Sequence, residues 1–449
     1  MHTVSATSLL AFLAWYEAPG PWLAAVWAVF ALVLALVDCQ FELEDLGWQA
    51  HALAALTMVR SVTLNLYVTE TWHGISLRLL SLAVVAVVLY ALSRVVRMPQ
   101  DWRTREFHHI YSWAASALVS LLMWYELQPL SVAVGWGVFG IVLFEYGLLR
   151  NTRQFRFQAY VALAASFGRI FFANLTAGNP GEFWGPRIYT VLPLTLIFFF
   201  VYAQLGPDEA SIRDDRRLHF DDLLGYVGTG SIVALLYFQF ANDWLVTAWA
   251  VVIFALFGVA LLLNRAMFLH QGIILTVGTC VRGVMHNLFG ASYFSGGDWT
   301  GRYFVLGSAV AVMLVCLPFA FRLRDRLKAQ APMNRRIGAV VRHPEQFMFF
   351  APVLLFTLML ALKMRAGMVT VAWGIEGVLI VLLALAVSER SYRLTGLTLL
   401  LVCVGKIMVR DAWGLAPRDR YITFIILGAA LLLVSFLYSK YRDAIRQFL

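Results

Sequence analysis

Residues 27–78 read WAVFALVLALVDCQFELEDLGWQAHALAALTMVRSVTLNLYVTETWHGISLR. Within this stretch Trp27 is followed by Gln49 after 22 positions, Arg60 after 11 more, Asn65 after 5 more and Arg78 after 13 more. Trp136, Gln158, Arg169, Asn174 and Arg187 keep all four spacings. Trp249, Gln271, Arg282 and Asn287 keep the first three, with Arg302 two residues late. Trp373, Thr395, Lys406 and Asp411 keep them again, with Arg420 four residues early. One polar skeleton written four times into apolar sequence points to internal duplication. The units expected are 1–98 (with a short first helix), 99–212, 213–330 and 331–449, joined in one continuous membrane domain.

The chain has 449 residues, 61% hydrophobic and 14% charged, with a mean hydropathy of +0.74. Soluble domains are about half apolar and a quarter charged. Apolar runs of about 20 residues recur throughout, each able to cross a hydrocarbon core roughly 30 Å thick. They are continuous rather than alternating, which argues for helices and against a transmembrane barrel. The net charge of +9 is concentrated in a few connecting loops. That pattern fits membrane orientation and anionic head groups, not nucleic acid. Cys39, Cys280, Cys316 and Cys403 stand singly and form no metal, redox or disulfide pattern. Residues 1–15 lack the basic n-region of a cleaved signal peptide and read as a short first span.

Each unit reads as four helices, A to D. The expected spans are 3–16, 21–37, 48–66 and 75–94; 107–126, 131–149, 156–175 and 187–205; 221–241, 244–263, 268–288 and 302–321; and 346–364, 369–387, 393–410 and 420–439. This gives an all-α polytopic protein of about sixteen transmembrane helices. The D-to-A connections are basic, from Arg94 through Arg213 to the long 322–344 stretch with Arg322, Arg324 and Arg326. The B-to-C connections are basic in three units, and the first differs with Glu42, Glu44 and Asp45. A four-helix unit places both loop classes on one side, which the positive-inside rule makes cytoplasmic, together with both termini. The expected location is the bacterial inner membrane. The 322–344 stretch is the one connection long enough for a partner or a short amphipathic helix.

Eleven residues of rise on helix C is about 16 Å, so Arg60, Arg169, Arg282 and Lys406 lie towards the outer leaflet. Asn65, Asn174, Asn287 and Asp411 lie further out, level with Arg78, Arg187, Arg302 and Arg420. An Arg inside a span costs at least about 2.5 kcal/mol and normally faces protein, water or a fixed partner. This set is therefore a candidate outer-face site for an anionic lipid or glycan head group, because the guanidinium fork suits phosphate and carboxylate. A structural role competes with that reading: each cation caps helix C or binds C-to-D loop carbonyls. The Trp series reads as packing, and the Gln series as bridges between helices.

Residues that break the pattern are secondary candidates, because architecture does not require them: Glu145, Glu376, His286 and Asp298, the last beside Gly296 and Gly297. His108 and His109, adjacent on a helix, point about 100° apart and make a poor metal pair. No P-loop, GxSxG, HExxH or DxD occurs. Catalytic residues, metals and cofactors are accordingly not assigned.

The C-terminal segments YRLTGLTLL (392–400), GKIMVRD (405–411), RYITFIILG (420–428) and SFLYSKYR (435–442) resemble the bacterial multipass membrane proteins grouped as domain of unknown function 2339. The likeness covers about the last 60 residues. It implies a polytopic envelope protein, here a short form, and no activity. Three functions stay open: an envelope scaffold binding head groups or a partner subunit, a transporter or flippase of an anionic lipid-linked substrate, and a membrane-embedded lipid or glycan transferase. Membrane lipids and an envelope protein are the expected partners.

Overall fold

The computed structural model describes residues 2–96, 109–178, 184–205, 219–240, 243–290, 299–328, 342–364, 366–411 and 417–440. These residues form sixteen helices and one small hairpin. The helices are α1 (His2–Glu17), α2 (Leu23–Phe41), α3 (Glu44–Thr63), α4 (Leu77–Val95), α5 (Ile110–Glu126), α6 (Val132–Leu149), α7 (Arg153–Arg169), α8 (Pro186–Gln204), α9 (Phe220–Gln239), α10 (Leu245–Leu263), α11 (Ala266–Arg282), α12 (Trp299–Val315, resuming after Cys316 as Leu317–Lys328), α13 (Pro344–Lys363), α14 (Ala366–Val387), α15 (Arg390–Lys406) and α16 (Pro417–Lys440). Strands Thr71–Trp72 and Ile75–Ser76 pair between α3 and α4, around His73 and Gly74, both at positive φ.

Ten helices are long and apolar enough to cross a membrane. The chain is an integral multipass membrane protein. The other six stop short of that test for visible reasons. The helices α1 and α5 have 16 and 17 residues. In α3, Glu44, Asp45 and Arg60 interrupt the apolar run, as Arg153, Arg156 and Arg169 do in α7 and Asp221 and Asp222 in α9. In α16, Pro417–Lys440, the continuous stretch with described side chains is Arg420–Phe436.

The chain forms two compact units, Met1–Gln239 and Phe240–Leu449. In the first, α2 packs on α3 and α4, α4 on α5, α6 on α7 and α8, and α8 on α9. In the second, α10 packs on α11 and α12, α13 on α11 and α12, and α14 on α15 and α16.

Local geometry recurs at fixed distances from the four tryptophans. Fifteen residues after each stands a residue with positive φ: Glu42 (57°), Asn151 (49°), Asn264 (53°) and Ser388 (62°). A left-handed residue ends a helix sharply, and α3, α7, α11 and α15 each begin two residues later. Trp27, Trp136 and Trp373 each donate through Nε1 to a carbonyl 16 residues back, those of Ala11, Ser120 and Thr357, at 3.0–3.1 Å. The indole, buried for Trp27 and half-buried for Trp136 and Trp373, therefore has its one donor satisfied.

Small residues let the paired helices approach closely, as in other membrane bundles. An added Cβ on Gly396 would sit 2.9 Å from the Gly377 carbonyl oxygen, and one on Gly377 would sit 3.2 Å from that of Gly396. Ala31 and Ala50, both buried, and Gly140 and Ala159 occupy the same offsets from their own tryptophans.

One sequence expectation changes. Arg322, Arg324, Arg326 and Lys328 are not in a loop, because α12 runs on to Lys328. The basic residues Arg97, Arg103, Arg105, Arg213, Arg216, Arg217, Arg335, Arg336, Arg442 and Arg446 lie outside the described residues, as do His108, Asp298, Gly296 and Gly297.

Candidate functional site

Most of the described polar skeleton closes on backbone carbonyls. Arg60 Nη2 donates to Gly20 O at 3.0 Å, and Asn65 Nδ2 to the next carbonyl, Pro21 O, at 2.7 Å. Arg169 Nη2 donates to Pro129 O at 3.3 Å, and Asn174 Nδ2 to Leu130 O at 2.7 Å. Asn287 Nδ2 donates to Asp243 O at 3.0 Å, and Lys406 Nζ to Thr370 Oγ1 at 2.6 Å. The acceptors are therefore in or beside the A-to-B turns, not in the C-to-D loops that the structural reading of the sequence named.

Helix geometry explains why the spacing is five. On an α-helix, residues i and i+5 point about 140° apart. After Arg169, Arg282 and Lys406 the helix widens into π segments, Ile170–Asn174, Gly283–Leu288 and Ile407–Asp411. The i→i−5 bonds Leu175 N to Ile170 O and Phe289 N to Val284 O belong to these turns. A π turn returns residue i+5 towards the face of residue i, so cation and amide reach one turn together. After Arg60 a 3-10 turn, Asn65–Tyr67, takes that place.

Two arginines of the D helices, Arg78 and Arg187, reach the end of the helix that follows. Arg78 donates to Glu126 Oε1 (2.7 Å), Leu66 O (3.1 Å) and Tyr125 O (2.9 Å). Arg187 donates to Phe238 O (2.7 Å) and Gly178 O (3.2 Å). The guanidiniums also lie on aromatic rings, Arg169 over Trp124 at 4.1 Å and Arg78 over Tyr125 at 5.5 Å, a further favourable contact. Arg282 closes α11 and Arg420 is half-buried in α16. The side chains of Arg302 and Asp411 are outside the description, although their backbones are helical.

These contacts make Asn174 a structural residue. Asn174→Ala is expected to destabilise the protein by about 1–3 kcal/mol, the usual cost of stranding a buried polar partner, here Leu130 O. An unfolding titration in bicelles measures this, and an unchanged midpoint would remove the assignment.

The residues that break the pattern fare differently. His286 Nε2 lies 3.5 Å from Asp243 Oδ1, on the same turn that Asn287 holds. Glu145 is half-buried, and its Oε1 has no hydrogen-bond partner among the described residues. Glu376 is 5% exposed. Its Oε1 accepts from Thr357 Oγ1 at 2.6 Å, while Oε2 is buried without a partner among the described residues.

Sequence reasoning missed one cluster. Arg324 from the second half of α12 pairs through Nη1 with Glu389 and lies 3.6 Å from Glu345 Oε1. His343 Nδ1 is 3.1 Å from the same Glu345 oxygen. Tyr392 donates from Oη to the Glu345 carbonyl at 2.7 Å and stacks on Phe349 with centroids 3.7 Å apart. Glu345 is 1% exposed and sits in the first turn of α13 behind Pro344, where the helix dipole favours a carboxylate. The one available signal was Pro-Glu opening an apolar run, a helix start.

No group of three or more His, Cys, Asp or Glu suited to a metal occurs among the described residues. No protein-family model, curated protein or solved structure matches the chain.

Proposed function

We propose that this chain is a membrane scaffold and binding protein of the bacterial envelope, built from four tandem four-helix units and about sixteen spans, with both termini cytoplasmic. On this reading it is related to the domain of unknown function 2339 proteins. One observation carries the proposal: Arg60 with Asn65, and Arg169 with Asn174, end on consecutive carbonyls of equivalent turns. Donors committed in the same way at equivalent places build a rigid outer end. This reading gives these cations a structural part, with Arg60 Nε and Arg169 Nε left without a partner among the described residues, and looks for the ligand or partner elsewhere on the scaffold. The left-handed residues at constant offset support the tandem arrangement. Tandem units of even helix number keep one orientation, unlike the inverted repeats of many rocking transporters.

Two measurements test this. With the four native cysteines replaced, Gly20→Cys and Asn151→Cys are expected to react with a membrane-impermeant maleimide from opposite sides, Gly20→Cys from outside. Nothing lies within 4 Å of a Cβ at Gly20, so the probe is tolerated. Labelling of both from one side would end the topology. The double variant Arg169→Ala/Asn174→Ala should lose stability while keeping its binding of phosphatidylglycerol, read by native mass spectrometry. Weakened lipid binding at unchanged stability would restore the anionic head-group site.

A further inference from the structure

Helices α12, α13 and α14 surround a cavity of about 200 Å³. Its wall is apolar, with Val310, Phe349, Val353 and Ile380 among the lining side chains, except for Glu376. Leu314 and Leu379, also in the lining, are 37% and 59% exposed. The cavity therefore opens sideways on spans that face hydrocarbon, and this placement rests on the membrane reading above.

Glu376 is short of hydrogen-bond donors. Thr357 has one hydroxyl hydrogen and two acceptors within reach, Val353 O at 2.8 Å and Glu376 Oε1 at 2.6 Å. Glu376 Oε2 has no partner among the described residues. A buried carboxylate left this way is costly unless a cation or donors meet it. The architecture does not call for an acid here: three residues after the other tryptophans stand Phe30, Phe139 and Val252. The last torsion of a Glu side chain is broad and soft, so the uncommitted oxygen can turn to a donor in the cavity. A dry apolar cavity of about 150 Å³ accepts a benzene-sized molecule, and this one is larger.

We propose that this cavity binds a lipophilic ammonium compound taken from the bilayer, its charged N–H group on Glu376 and its apolar body among Phe349, Val353 and Ile380. The cation supplies the missing donor and charge together. Selectivity follows, because a chain-matched carboxylate would place two acceptors face to face.

The probe is a diazirine-bearing octylamine, photolysed with the protein in nanodiscs and mapped by mass spectrometry. Cross-links are expected on Pro344–Lys363 and Met368–Val387, competed by octylamine but not by octanoate or octanol. Glu376→Gln should lower labelling about tenfold, while Glu376→Asp keeps the preference for amine over acid. Val353→Trp, which fills the cavity, should abolish labelling with the fold intact by thermal unfolding. Equal labelling in Glu376→Gln, or equal competition by octanoate, would mean an acyl chain filling an apolar groove and would overturn the proposal. Competition by octanol equal to that by octylamine would overturn the cationic assignment. A failure of the cysteine topology would leave these outcomes readable, because they depend on one cavity and not on the number of units.

Discussion

Arg324→Ala is expected to destabilise the protein by about 3–5 kcal/mol, the range seen when one partner of a buried ion pair is removed. Arg324 faces two carboxylates from two other helices, Glu345 on α13 and Glu389 at the start of α15. Without the guanidinium, Glu345 at 1% exposure keeps His343 as its one cationic partner among the described residues. Reversible unfolding in bicelles gives the number. The triple variant Arg324→Met/Glu345→Gln/Glu389→Gln should recover most of the loss, because replacing a whole ion network by neutral groups is often neutral or stabilising. A loss under about 1 kcal/mol for Arg324→Ala would instead class the cluster with solvated surface pairs. The damage should also spread. Tyr392 bonds the Glu345 carbonyl and stacks on Phe349, and Phe349 lines the Glu376 cavity, so ammonium binding should weaken in Arg324→Ala.

Gly396→Leu is expected to cost about 3 kcal/mol, the upper end for an overpacked core. The first added carbon already meets Val381 Cγ2 at 2.7 Å and the Gly377 carbonyl at 2.9 Å. A side chain can turn away from such a contact, but a backbone carbonyl can move only with its helix. The paired variant Gly377→Leu should cost a similar amount, and the two together less than their sum, because either alone already separates α14 from α15. Gly405→Ala in the same helix, where a Cβ meets nothing within 4 Å, should be neutral or slightly stabilising through helix propensity. If Gly396→Leu folded as stably as Gly405→Ala, the close approach would carry no energy.

The helices were legible because continuous apolar runs leave few alternatives, and the expected and observed spans agree closely for α1, α10 and α13. The polar skeleton was legible as a spacing, but its partners were not. Gly20 O, Pro21 O, Pro129 O and Leu130 O are main-chain acceptors, and every residue type carries one, so no sequence letter marks them. The five-residue gap between cation and amide was visible, yet its cause, a widened turn, depends on how the helix end settles in the fold. Glu376 and Glu145 stood out as acids in apolar runs, and both have an oxygen without a partner among the described residues. The Arg324–Glu345–Glu389 cluster stayed hidden because its members are 21 to 65 residues apart and each alone resembles an ordinary end-of-span charge.

The reach of Arg78 to Tyr125 and Glu126, and of Arg187 to Phe238, sets an order of events during synthesis. When α4 enters the bilayer, the acceptors of Arg78 on α5 do not yet exist. They are 47 and 48 residues downstream, and Arg187 waits over 51. At about 5–20 residues per second each of these cations spends roughly 2–10 s without those partners. Over that interval α4 and α8 each carry a cation that the next helix then satisfies, so at these two places assembly is driven forward along the chain.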